Sequence, residues 1–152
     1  RQAVYGMETV HGTTIVIDGV GVLLRGRTGS GKSDLALRLI DGGACLISDD
    51  QSVLERREDR LEARAPLILR NKIEIRGLGV VTLPSNATAP SGVIGLVVDL
   101  VESPDALERM PGPETVEING IVLRRLRLWP FEASAAAKVR LAIRAAPDDI
   151  EG

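Results

Sequence analysis

The chain has 152 residues, 44% hydrophobic but only 2% aromatic, with 19 Lys and Arg against 21 Asp and Glu and a formal charge of −2. That balance lacks the basic footprint of a nucleic-acid binder, and one Trp, one Tyr and one Phe leave no platform for stacking the bases of a single strand. No apolar run reaches the roughly 18 residues of a membrane span and no secretory signal is visible. The lone Cys45 has no internal disulfide partner and reads as inert core. Together these features point to a cytoplasmic protein of one domain, residues 1–152, with a core of Val, Ile, Leu and Ala.

In chain order, Thr9-Val10 and Thr14–Ile17 read as strands flanking His11-Gly12-Thr13, which places His11 on a hairpin, and Asp18-Gly19 is the turn into the next strand. That strand, Gly19–Arg25, is a short apolar run of the kind that becomes buried in a parallel sheet. It leads directly into Gly26-Arg27-Thr28-Gly29-Ser30-Gly31-Lys32-Ser33, a match to the G-x-x-x-x-G-K-[ST] loop that wraps backbone N–H groups around nucleotide phosphates. Glycines turn the amides inward, Lys32 reaches the β and γ phosphates, and the Ser33 hydroxyl can ligate Mg²⁺. The pattern predicts ATP or GTP binding.

A helix is predicted over Lys32–Asp41, where Leu35, Ala36, Leu39 and Ile40 recur at helical spacing, Asp34 and Arg38 form an i,i+4 pair, and Gly42-Gly43 supplies the stop. The phosphates would sit at its N-terminus, where unpaired amides favour negative charge. Ala44–Ile47 is a further buried strand ending at Ser48-Asp49-Asp50. By itself that acidic pair suits a turn or cap, but at the carboxyl end of a strand following a phosphate loop it stands where open α/β sheets put ligands. Adjacent residues of an extended segment point apart, so one carboxylate can face a transferred phosphoryl while the other turns to a metal or a structural partner. Asp50 is the candidate general base, since a hydroxyl being phosphorylated needs an acceptor within about 3 Å.

Val53–Arg56 and Leu61–Ala65 read as a surface hairpin around the charged turn Arg57–Arg60. In Ile73–Val81 an alternating segment becomes glycine-punctuated, and Glu74 belongs either to a loop closing over phosphate or to an edge strand with solvated charges. Val93–Val101 is the most apolar strand, Thr115–Ile118 and Ile121–Leu123 form a hairpin around Asn119-Gly120, and Ala133–Ala146 is a terminal helix before Pro147. The result is an α/β domain with a mixed sheet and flanking helices.

Four of these blocks carry a family resemblance: His11-Gly12, the loop Gly26–Ser33, Ile47–Asp50 and Ile73–Val81. In that order they resemble the C-terminal catalytic domain of HPr kinase/phosphorylase, which phosphorylates a serine of the phosphocarrier protein HPr and can reverse the reaction. The resemblance implies the HPr kinase/PEP carboxykinase-like nucleotide-binding fold, with ATP and Mg²⁺ as cofactors, HPr as the partner and a hexameric assembly. It implies that Lys32 binds phosphate, that Ser33 and Glu74 hold the metal, that Asp50 shuttles the proton and that His11 interacts with Asp50. Asp49 becomes a supporting neighbour. Glu108-Arg109-Met110 is similar to the segment bearing a further catalytic arginine, which makes Arg109 the candidate for charge stabilisation. The family's N-terminal domain has no counterpart, so a short form or an excised catalytic domain is expected. One departure stands out: the basic, Pro-containing loop that supports dephosphorylation corresponds to Arg127–Glu132, and its Pro-Arg pattern is gone. Kinase activity with weak or absent phosphorolysis is the expectation. A small-molecule kinase with an Arg-rich lid and a non-catalytic nucleotide-sensing module are the alternatives; retention of Lys32, Asp50 and Glu74 speaks against the second.

Overall fold

A computed structural model describes residues 6–145 and 147–151. Its strands are β1 (Met7–His11), β2 (Thr13–Ile17), β3 (Val20–Arg25), β4 (Cys45–Ser48), β5 (Gln51–Arg57), β6 (Arg60–Arg64), β7 (Lys72–Ile75), β8 (Gly79–Thr82), β9 (Gly92–Leu100), β10 (Glu114–Ile118) and β11 (Ile121–Leu128). Two longer helices join them, α1 (Lys32–Asp41) and α2 (Ala135–Arg144). The mixed α/β architecture expected from the sequence is present.

Among the described residues, nine strands form one sheet and β7 pairs β8 separately. The apolar strand β9 is its hub. Along one edge β9 runs parallel to β3; along the other its first residues pair with β6 and its last five run parallel to β11. Strand β2 is antiparallel to both β3 and β4, so β3 and β4 point the same way. Period-two alternation then divides the core. Val22, Leu24, Leu96 and Val98 face the two helices and pack with Leu35 and Leu39 of α1 and Val139 of α2. Leu23 and Val97 face the other way, against Leu54, Leu61 and Ala63.

Local chemistry sets most of the boundaries. Helix α1 ends where Gly42 N–H bonds Arg38 O and Leu39 O, and the Asp34–Arg38 ion pair forms at 2.9 Å. Two of the two-residue turns have positive φ at both positions, 50° and 80° at Asp18-Gly19 and 49° and 77° at Asn119-Gly120, a match to the strand twist of a tight hairpin.

Four expectations need correction. His11 is not on a hairpin: β1 pairs β5, with His11 opposite Gln51, while β2 pairs β3 and β4. Thr13 and Thr14 are fully buried, so the chain continues straight through Gly12 from one part of the sheet to another. A Cβ at Gly12 would lie 2.8 Å from Leu23 Cδ1, which is why the crossing point carries no side chain. The β5–β6 hairpin turns at Glu58-Asp59 and is no surface feature, because Leu54, Leu61 and Ala63 are fully buried. Cys45 is half-buried at the start of β4, while Leu46 and Ile47 after it take the buried positions on both faces. Helix α2 is shorter than Ala133–Ala146, with Ala145 already extended; Ala146 lies outside the described residues, as do residues 1–5 and 152.

Candidate functional site

The carboxyl ends of β3 and β4 lie at the same edge of the sheet, so the glycine loop after β3 and the acidic pair after β4 come together. In the loop, Gly29 and Gly31 adopt φ of 84° and 100°, a region closed to most side chains. No side chain caps α1, whose first bond runs from Leu35 N–H to Gly31 O at 2.9 Å. The amides of Gly31–Asp34 are therefore available to an anion, whereas Ser30 N–H donates to Arg27 O at 3.0 Å. Ser30 Oγ is buried without a hydrogen-bond partner, an orphaned polar group inside the same loop.

Lys32 is 4% exposed. Its ammonium donates to Gly26 O at 2.6 Å and to Arg27 O at 3.1 Å, and lies 3.2 Å from His11 Nε2 and 3.9 Å from Asp50 Oδ1. Burial pushes the Lys32 pKa down, opposed by the nearby charges of Asp50 and Asp49.

The two aspartates diverge in environment. Asp49 is buried and accepts three hydrogen bonds: from Ser33 Oγ at 2.7 Å, from Thr13 Oγ1 at 3.1 Å and from Glu74 N–H at 2.9 Å. It ties the helix start, β2 and β7 to one point. Asp50 has half of its side chain open to solvent and sits 3.3 Å from His11 Nε2. The divergence does not come from an extended segment, because Asp50 has φ of 65°. That left-handed geometry is held by Gly12 N–H bonding Asp50 O at 2.7 Å and by Asp50 N–H donating to Thr13 Oγ1 at 3.0 Å. The β1–β2 crossing thus aims the carboxylate, at a backbone cost of about 1 kcal/mol or more.

A cavity of about 390 Å³ opens between these elements, lined by Thr28, Gly29, Gly31, Lys32, Ser33 and Asp34, by Leu37 one turn further along α1, and by Asp50. Glu74, Ile75 and Arg76 close one side and Phe131 another. Most of the residues singled out by sequence are therefore neighbours. Gly26 and Arg27 support the loop, with Arg27 ion-paired to Glu102, and do not line the cavity. His11 reaches it through Lys32 and Asp50. Arg109 is not brought in: it is exposed on the segment after β9, with Met110 Sδ 3.8 Å away. Sequence reasoning understated Asp49, whose three donors come from distant segments, and gave Phe131 no place beside the loop. Phe131 instead covers the phosphate loop: a Cβ at Gly31 would lie 2.9 Å from Pro130 Cγ and 3.0 Å from Phe131 Cζ.

A strand, a loop with left-handed glycines, an uncapped helix start and an acidic pair on a neighbouring strand of the same direction make a mixed α/β fold whose glycine loop has the phosphate-loop sequence pattern. The chain belongs to the family described as the HPr Serine kinase C-terminal domain, whose model matches residues 3–139. It is 36% identical over 147 residues to an HPr kinase/phosphorylase of Chromobacterium violaceum, covering 89% of this chain and 46% of that protein. A second HPr kinase/phosphorylase, from Burkholderia lata, is 37% identical over 127 residues, 79% of this chain and 39% of the relative. The chain thus spans less than half the length of these relatives. A solved structure, the Hpr(Ser) kinase/phosphatase from Coxiella burnetii, superposes with a TM-score of 0.80 at 28% identity, covering 90% of this chain and 94% of that one.

Proposed function

We propose that this protein is an ATP-dependent serine kinase acting on HPr. The observation that carries the reading is Asp50, held by the backbone at φ of 65°, half open to solvent, and 3.9 Å from the lysine of the phosphate loop. An acceptor hydroxyl presented on a protein surface can reach such a carboxylate, whereas a small-molecule kinase encloses its acceptor.

In this reading the amides of Gly31, Lys32 and Ser33 and the Lys32 ammonium offset charge on the phosphates, while Asp50 accepts the proton of the attacking serine hydroxyl. Lys32 would leave the carbonyls of Gly26 and Arg27 for phosphate oxygens, exchanging dipoles for full charges. The orphaned Ser30 hydroxyl supports phosphate in the loop. Mg²⁺ fits the oxygen donors present: Ser33 Oγ, oriented by Asp49, and the Glu74 carboxylate across the cavity. Mg²⁺ is commonly held by one or two protein oxygens, with its remaining ligands drawn from waters and substrate phosphates. When bound, Mg²⁺ would supply neutralisation of the phosphate charge. His11, within 3.3 Å of Asp50 and 3.2 Å of Lys32, positions both.

Phosphorolysis is weak or absent in this reading, because Arg127–Glu132 presents Trp129-Pro130-Phe131 in place of a basic loop. The proposal extends to a cytoplasmic hexamer, for which Leu67 and Ile68, 81% and 79% exposed, offer apolar surface to bury. No helix among the described residues is long and apolar enough to cross a membrane. The test is incubation with Mg-ATP and HPr followed by phosphosite mapping, with sugars and metabolites as competing acceptors. Phosphoserine on HPr is the expected result; label on a small molecule alone would overturn the acceptor assignment. Efficient pyrophosphate release from phosphorylated HPr and inorganic phosphate would refute the one-way reaction.

A further inference from the structure

We infer that Phe131 is the platform on which the nucleotide base stacks, so that the Trp129-Pro130-Phe131 turn forms the base subsite of the cavity. The inference rests on the phosphate-loop reading above and assigns what that reading leaves open, namely where the non-phosphate end of the nucleotide lies.

The cavity lining is of two chemical kinds. Lys32, Ser33, Asp34, Asp50, Glu74 and Arg76 are polar or charged, and Leu37, Ile75 and Phe131 supply the apolar surface. Phosphates held by the loop must direct the terminal phosphoryl toward Asp50 and Lys32. The ribose and base then leave in the other direction, over the first turn of α1. Leu37 is four residues after Ser33 and so lies on the same face of that helix, one turn on. The apolar wall therefore begins where the phosphates end.

Phe131 has the properties of a stacking surface. It is the chain's only Phe, and 57% of it is exposed although its ring packs against Gly31 of the loop. Burying an aromatic ring stabilises a fold, so leaving most of one open at a cavity rim calls for an occupant. The ring is also held still. Arg38 donates to Pro130 O, Lys138 binds the Glu132 carboxylate at 2.5 Å, and Trp129 packs edge-on with ring centroids 6.3 Å apart. Pro130 is buried and Ala135 N–H bonds Glu132 O at 3.1 Å, anchoring the turn to the start of α2. A pre-positioned ring binds a planar base without ordering cost of its own. A purine matches this surface, with one π-face on Phe131 and an edge toward Leu37.

The test compares ATP with tripolyphosphate, which carries the same phosphates and no base, both with Mg²⁺. Trp129, the chain's only Trp, reports binding by its fluorescence because it touches Phe131. The parent should bind ATP about tenfold more tightly than tripolyphosphate, the size of a single base-stacking contact. Phe131→Leu keeps apolar cover over Gly31 without the π-face, and Phe131→Ala removes both. Each should lose most of the tenfold preference while tripolyphosphate affinity stays within about twofold of the parent. Retained preference in both variants, or an equal loss for both ligands, would overturn the inference and leave the phosphate loop standing. A rise in KM for HPr with unchanged ATP affinity would also overturn it, by assigning Phe131 to the acceptor protein. A parent chain that binds neither ligand would overturn the nucleotide reading itself, and the inference with it.

Discussion

Replacing Asp49 with alanine strips the acceptor from three donors at once: Ser33 Oγ at 2.7 Å, Glu74 N–H at 2.9 Å and Thr13 Oγ1 at 3.1 Å. A buried donor left without a partner costs about 1–3 kcal/mol. Ser33 and Glu74 border the cavity and can recover water, so the low end applies to them; Thr13 is fully buried, so the high end applies there. The sum is about 3–5 kcal/mol. A chain of this size loses about 2–4 °C of melting temperature per kcal/mol, so Asp49→Ala should melt about 6–20 °C below the parent. The loss should be local as well as global. Glu74 N–H, the link between the acidic pair and β7, should exchange with solvent at least about tenfold faster. Asp49→Asn keeps an oxygen for Glu74 N–H but sets an NH2 where Ser33 and Thr13 donate to Oδ1, so those hydroxyls must turn to accept and the loss should be intermediate, about 1–3 kcal/mol. Calorimetry with amide exchange by NMR reads both effects. If Asp49→Ala melts within about 1 °C of the parent and Glu74 exchange is unchanged, the hub described for Asp49 does not exist.

Asp50→Asn should retain ATP binding, measured by titration calorimetry, and lose phosphotransfer to HPr by about 10²–10⁴; near-normal turnover would remove Asp50 as the base. Leu39→Ala, at a fully buried position between α1 and the sheet, should cost about 2–5 kcal/mol in urea unfolding; a loss below about 1 kcal/mol would mean that the helix-side core is not closely packed there. Acid should act through Asp99. Burial raises its pKa, but hydrogen bonds from Arg25 at 2.7 and 2.9 Å and from Arg125 at 2.5 Å outweigh that and hold it below its ordinary 3.8. A depressed carboxylate contributes stability that is complete above its unfolded value and disappears as pH falls through the lower folded value. Urea midpoints should therefore drop more steeply below about pH 4 in the parent than in Asp99→Asn. Superimposable acid limbs would show that the pair of arginines carries no such linkage.

Elements governed by short-range rules were legible in the chain. The boundaries of α1, Lys32–Asp41, follow from helical periodicity and a glycine stop, and the Asp18-Gly19 and Asn119-Gly120 hairpins from residues that tolerate positive φ. The loop Gly26–Ser33 is likewise local, since its left-handed glycines and the helix start they lead into are adjacent in sequence. The destination of β1 was not legible. Strand propensity in Thr9-Val10 cannot say which partner edge is free, and burial of Thr13 and Thr14 carried the chain past the turn that His11-Gly12-Thr13 suggested.

By itself, the sequence determined a glycine loop between a strand and a helix, an acidic pair after the next strand, and the family blocks around them. Only the tertiary structure decided which aspartate is buried and which is open, because the partners of Asp49 come from 36, 16 and 25 residues away and the φ of Asp50 is imposed by Gly12 and Thr13. It also decided that Phe131 meets Gly31, about a hundred positions earlier in the chain. The physical reason is one of range. Backbone sterics and helical spacing act within a turn or two and can be read along the chain, whereas these contacts form only after the sheet closes and distant side chains compete for the same buried space.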